Sequence, residues 1–131
     1  MLITDGTPAQ SFIGYVIDVP DEPGEGAGVA VSLDITEDHF NRHGTVHGGI
    51  IAVLMDTVCG MQCSFEGDPK ALPKCMTLSL TTQFVAPVRL GRVTARAHSA
   101  GGGKRIRYLN AWLEDADGKT LSTASAVMRM V

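Results

Sequence analysis

The segment Asn41–Gly60, NRHGTVHGGIIAVLMDTVCG, decides how the chain is read. Polar residues and glycines lead into an apolar run that carries one charge, Asp56; from Gly48 to Phe65 no other side chain is ionised at neutral pH. From Gly49 to about Phe65 the run is long enough for a helix of roughly four turns. A helix that is apolar on all sides is normally buried, and an unpaired carboxylate in such a place is costly. No Lys or Arg lies between Val46 and Asp68 to neutralise it. The expectation is a buried Asp56 without a cation. Burial of that kind makes a carboxylate a stronger base, which suits a general base acting on water.

Working outward, the flanking segments read as strands. In GVAVSLDI, Val29, Val31, Leu33 and Ile35 alternate with period two, the mark of a half-buried strand. Upstream, FIGYVIDVP (Phe12–Pro20) reads as a first strand closed by the turn-forming PDEPGEG, and TEDHF as a helical turn capped by Thr36. Beyond the helix, EGDPKALP is a loop. KCMTLSLTTQFVAP then sets Met76, Leu78, Leu80, Thr82 and Phe84 against Thr77, Ser79, Thr81 and Gln83. Two further strands follow, RLGRVTARAHSA and KRIRYLNAWLED, separated by Gly101–Gly103. The Asp117-Gly118 step is a hairpin signal leading into TLSTASAVMRMV. One long apolar helix and four strands after it predict an α+β fold, an antiparallel sheet wrapped around the helix, as one domain over residues 1–131. Small and apolar residues on both faces of STASAVM predict a second buried surface, which an oligomer supplies.

Composition narrows the function classes. At 131 residues, 44% apolar and 19% charged, the chain has the profile of an ordinary globule with a sizeable core. A net charge of −3 and a pI near 5.7 provide no basic field for nucleic acid. Ile50–Met55, the longest apolar segment, is far short of the roughly 20 residues of a membrane span. MLITDGTPAQ has neither a basic n-region nor a long apolar h-region, so no signal peptide is expected. Three cysteines without a CxxC pair fit free thiols in a reducing cytoplasm.

Glycines at 48 and 49 stand where the chain enters the helix, and the first N–H groups of a helix have no intrahelical partners. Without a side chain at Gly48, a ligand carbonyl can reach those donors, as in an oxyanion hole. Asp56 lies eight residues further on, about 12 Å along the axis. One helix cannot bring both groups to one carbon, so cooperation requires Asp56 from a second subunit. His39, His43 and His47 recur every four residues, but Gly44 breaks the helix that a metal pair would need, and no acid or thiol completes the set. His39 and His43 are therefore read as solvated and no metal site is assigned. Cys59 and Cys63 share a helix face and are read as core.

Asn41, His47, Gly48, Gly49 and Asp56 form the pattern N-x5-HGG-x6-D. It resembles the signature of the hotdog-fold acyl-CoA thioesterases, closest to the PaaI-like branch. TLSLTTQFVAPV, LGRVTARA and DADGKTLSTASAVM are similar to that branch's strands in the same order. The resemblance implies hydrolysis of an acyl- or aroyl-CoA to free acid and CoA, without a metal or redox cofactor. Gly48 N–H and Asn41 would polarise the thioester carbonyl, and Asp56 of the neighbouring subunit would act on water as general base, or attack as nucleophile. His47 would help hold substrate or leaving group. Thr77 matches the position of a hydroxyl residue that assists the same water, with Ser in some members. It further implies a homodimer and its pairing into a homotetramer. Lys104 and Arg105, beside the glycine turn, are the candidates for the CoA phosphates, with Gly49 also on the substrate side. The competing readings are a hotdog hydratase or dehydratase, and an acyl-CoA-binding protein without catalysis.

Overall fold

The computed structural model describes all residues, 1–131. In chain order the elements are β1 (Leu2–Ile3), α1 (Pro8–Ile13), β2 (Val16–Asp18), β3 (Ala30–Ile35), a 3-10 turn (Glu37–His39), α2 (Gly48–Gly67), β4 (Cys75–Phe84), β5 (Gly91–Gly102), β6 (Ile106–Asp115) and β7 (Thr120–Met130). All strands join one antiparallel sheet in the order β1-β2-β3-β5-β6-β7-β4. The sheet wraps α2, which packs on β3 through β7. This is the α+β architecture that the hotdog resemblance implies.

The local causes are plain. Val29, Val31, Leu33 and Ile35 are all buried, so the period-two reading of β3 holds. Thr36 caps the 3-10 turn, taking the Asp38 N–H on Oγ1 at 3.3 Å. Gly118 closes the β6–β7 hairpin at φ 82°, a backbone shape that glycine adopts without strain. Leu54, Met55, Val58 and Cys59 of α2 meet Leu33, Ala95, Leu109, Leu113 and Met128 of the sheet in the core. By length and composition α2 could cross a bilayer; here the sheet covers its apolar face.

Two expectations are corrected. Phe12–Pro20 is not one strand. Thr7 caps α1 through Oγ1, accepting Gln10 N–H at 3.1 Å, Pro8 opens it, and Gly14 ends it in the left-handed region at φ 97°. That start-and-stop chemistry is helical, and only Val16–Asp18 is strand. In β4, strict alternation also fails. Thr77 pairs with Met128 and Ser79 with Val127, leaving Leu78 as an extra residue in a bulge. A bulge reverses the side-chain parity beyond it. Thr77 and Phe84, expected on opposite faces, therefore both reach α2.

Candidate active site

α2 enters the core through its N-terminus, and the chemistry collects at two places along it. His47 caps the helix: its Nδ1 accepts the Gly49 N–H at 2.9 Å, while the Ile50 and Ile51 N–H groups turn back to His47 O. The Gly49 amide is thus taken up within the chain. The Gly48 N–H makes no hydrogen bond to any other residue. Such a free donor at a helix N-terminus, with the dipole behind it, is set to bind an oxygen carrying negative charge.

Asn41 is held nearby by a tight loop. Its Oδ1 accepts the N–H of His43 at 2.8 Å and of Thr45 at 3.4 Å, and its Nδ2 donates to Thr45 Oγ1 at 3.3 Å. Asn41 and Gly48 line one cavity of about 330 Å³ whose walls include Ile51, Phe84, Val85 and Val88. The Phe84 ring covers Gly48; a Cβ there would meet it at 3.3 Å. Phe84 is 58% exposed, an aromatic side chain at the mouth of a cavity. Its place was hidden by the bulge in β4.

The second place is Asp56. Thr77 Oγ1 donates to Asp56 Oδ1 at 2.6 Å, and Oδ2 has no partner in the chain. Asp56 is half-buried in the single chain, because it lies on the face of α2 beside the edge strand β4. One turn further, the Cys59 thiol is pushed up to about 12 by burial and, secondarily, by the Asp56 charge. It is a neutral packing group at any ordinary pH.

Other candidates fall as follows. Lys104 and Arg105 are both exposed at the β5–β6 turn. Arg105 lines a hollow of about 460 Å³ together with Met76, Arg129 and Met130; Lys104 does not. Met76 precedes Thr77 on β4, and the hollow is walled by strand, turn and C-terminal residues alone. Arg129 was missed in sequence, although it pairs across the sheet with both Met76 and Ile106. His39 is buried, not solvated: Nδ1 accepts the Thr36 N–H at 3.0 Å, so Nε2 carries the hydrogen and donates to Ile13 O at 2.8 Å. It pins α1 to the 3-10 turn. His43 is exposed.

Within one chain, then, an oxyanion-type donor and an apolar cavity stand at one end of α2, and a carboxylate with a positioned hydroxyl stands two turns away. The profile of the Thioesterase superfamily matches residues 43–122, which contain His47, Gly48, Asp56, Thr77, Phe84 and Arg105 and leave Asn41 and Arg129 just outside. The chain belongs to the thioesterase superfamily. This thioesterase is 28% identical to human acyl-coenzyme A thioesterase 13 over 123 residues, covering 88% of its own length and 82% of the human protein. Its fold is similar to that of the Escherichia coli PaaI protein from the phenylacetic acid degradation operon, with TM-score 0.82, 21% identity, and coverage of 97% and 86%. A Streptococcus pneumoniae protein described as a hypothetical thioesterase, crystallised with coenzyme A, is similar at TM-score 0.75 and 19% identity, over 92% and 90%. The thioesterase is a thioester hydrolase with the PaaI-like hotdog fold.

Proposed function

We propose that the enzyme hydrolyses an acyl- or aroyl-CoA thioester at a site shared by two subunits. The observation that carries this is the division of α2: the free Gly48 N–H and Asn41 face one cavity, while Asp56 and Thr77 lie about 12 Å along the helix. Two antiparallel copies of α2 side by side would set one chain's Asp56 opposite the other's Gly48. The exposed apolar residues Met76, Leu78 and Phe84 on the edge strand β4 are surface that a second copy would cover. Pairing of such dimers into a tetramer is consistent with this reading, as is a cytoplasmic location for a chain with three free thiols.

In this scheme the thioester oxygen accepts from Gly48 N–H and Asn41 Nδ2. Asp56 of the partner subunit takes a proton from water through Oδ2 while Thr77 holds Oδ1. Hydroxide adds to the carbonyl carbon, the oxyanion draws on the two donors, and collapse breaks the C–S bond. CoA leaves as thiolate and takes up a proton. His47 presents its free Nε2 side near the entrance to the helix, where it can contact substrate or leaving group, with Gly49 beside it. Arg105, with Lys104 beside it, would meet the nucleotide phosphates. No step calls on a metal or redox cofactor.

Thiol release from a panel of CoA esters, measured on Asp56→Asn and Asn41→Ala, tests the reading. Asp56→Asn keeps the Thr77 hydrogen bond but cannot take a proton, so kcat falls about 10²–10⁴-fold. Co-expression of the two variants restores about a quarter of parental activity, because half the dimers are mixed and each holds one intact site. Mixed dimers no more active than either variant reject the shared site.

A further inference from the structure

Three sulfur atoms meet where the C-terminal half of α2 faces the start of β4 and the end of β7. Cys75 Sγ lies 3.0 Å from Cys63 Sγ and 3.1 Å from Met130 Sδ, and Cys63 Sγ lies 4.0 Å from Met130 Sδ. Core packing accounts for Cys63, which is fully buried. Cys75 packs against the same core from another element, with its sulfur aimed at that of Cys63. Cys75 is half-buried, and Ser64 Oγ sits 3.5 Å from its sulfur. Met130 reaches this spot because Gly67 has no side chain to block its methyl group.

The separation of the two thiols is held by a braced connection. Asp68 Oδ1 accepts the N–H groups of Lys70 at 2.9 Å and Ala71 at 3.0 Å, and Asp68 O accepts that of Leu72 at 2.9 Å. β4 is then fixed to β7 from its first residue, where Cys75 pairs with Met130. The pair is therefore presented by structured backbone on both sides.

We propose that Cys63 and Cys75 are a reversible redox pair, a site at which a peroxide-class oxidant closes an intramolecular disulfide. Cys75, the member nearer solvent, meets the oxidant. Its sulfur attacks a peroxide oxygen, the O–O bond breaks, and the thiol proton leaves with the released hydroxide as water, giving a sulfenic acid. Cys63 Sγ then attacks the Cys75 sulfur. The S–S bond forms, the S–O bond breaks, and the Cys63 proton leaves with that hydroxide as a second water. Two thiols lose two electrons and the peroxide gains them. The Cys63 thiol is pushed up to about 12, by burial first and by the Cys75 contact second, so it stays protonated until that second step. This assigns it the resolving role and makes the reaction slow compared with that of an exposed thiolate.

The inference goes beyond hydrolysis and does not depend on the catalytic reading, although the two places are neighbours. Cys75 is two residues before Thr77, and Cys63 is seven residues past Asp56 on the same helix. A bridge draws the two sulfurs in from 3.0 Å to about 2.05 Å, tying strand to helix beside the Thr77–Asp56 hydrogen bond.

Thiol counting on the intact protein after hydrogen peroxide treatment, with quenching and denaturation, tests the proposal. Reduced protein presents three thiols; oxidised protein is expected to present one, Cys59, with the mass lowered by two hydrogen atoms and a Cys63–Cys75 cross-linked peptide. A dithiol reductant restores all three, and the oxidised form melts at a higher temperature because a loop has been closed. In Cys63→Ser, Cys75 is expected to stop at a sulfenic acid that a dimedone probe captures, and in Cys75→Ser no thiol is lost. Three surviving thiols in the parent protein, a Cys75 sulfinic acid beside an intact Cys63 thiol, or a bridge between two chains would each overturn the proposal. None of these readouts depends on thioester turnover.

Discussion

Thr77 on the edge strand β4 donates its hydroxyl hydrogen to Asp56 in the middle of α2 across 2.6 Å. The bond exists because Leu78 bulges out of register, which leaves Thr77 pointing at the helix while the residues beyond it re-phase. One carboxylate oxygen is thereby fixed and the other is left for water. A hydrogen bond to a charged acceptor is short and strong, so Thr77 positions the Asp56 carboxylate, which the proposed mechanism uses as its base.

Thr77→Val should therefore lower kcat by about 10–100-fold, the worth of a hydrogen bond to a charged group at about 1.5–3 kcal/mol. Thr77→Ser keeps the donor and should stay close to parental. Thr77 is exposed, so the melting temperatures of both variants should remain near that of the parent. Steady-state kinetics and thermal melts on the three proteins decide this; a Val variant with parental kcat would remove Thr77 from the site.

The difference between what could and could not be read in the sequence follows from these same elements. The glycines and the long apolar run marked both ends of α2 to within a few residues, and the alternation of Val29 to Ile35 marked β3. α1 was hidden because Phe12 and Ile13 run directly into the apolar Val16–Val19 segment, where a period-two reading absorbs them. Missing α1 also misplaced His39, whose ring is buried by its hydrogen bond to Ile13 O. The bulge left no trace in a continuous β-rich stretch. The half-exposure of Asp56 depends on which face of α2 the sheet leaves uncovered, and that is tertiary information.

The buried thiols give the fold an alkaline limb. Cys59 titrates near 9.0 in the unfolded chain and at about 12 in the native one, chiefly because burial penalises the thiolate. Between those values the native state keeps a proton that the unfolded state releases, so stability falls as pH rises, by about 1.4 kcal/mol per pH unit for one group. Below pH 9 both states hold the proton and the contribution is flat. Cys59→Ala loses packing at pH 7 but lacks this limb. Its stability deficit in urea denaturation should shrink steadily from pH 9 to pH 11; a deficit independent of pH would contradict the assignment.

Ser122 on β7 is fully enclosed, and its hydroxyl has no hydrogen-bond partner. An unpaired buried hydroxyl costs about 1–3 kcal/mol. Ser122→Ala removes the group while filling nearly the same space, so the unfolding free energy should rise by about 1 kcal/mol and the melting temperature by several degrees. A melting temperature that falls instead would show that the hydroxyl is satisfied in solution.

Arg105 from the β5–β6 turn and Arg129 from β7 reach the same hollow, with Met76 on its wall and Thr77 the next residue along. Two guanidinium groups can hold phosphate oxygens through several N–H donors each. Contacts to the nucleotide end of CoA are made equally before and during the chemical step, so losing them raises KM and leaves kcat in place. Arg105→Ala and Arg129→Ala should each raise KM for a CoA ester by about 10-fold, in keeping with about 1.5 kcal/mol for a charge-assisted contact. Lys104→Ala should do so by less, since Lys104 stands outside the hollow. With a pantetheine thioester, which lacks the nucleotide phosphates, all three variants should match the parent. Equal losses on the two substrates would mean that the arginines support the strands, through the Met76–Arg129 register, and take no part in holding CoA.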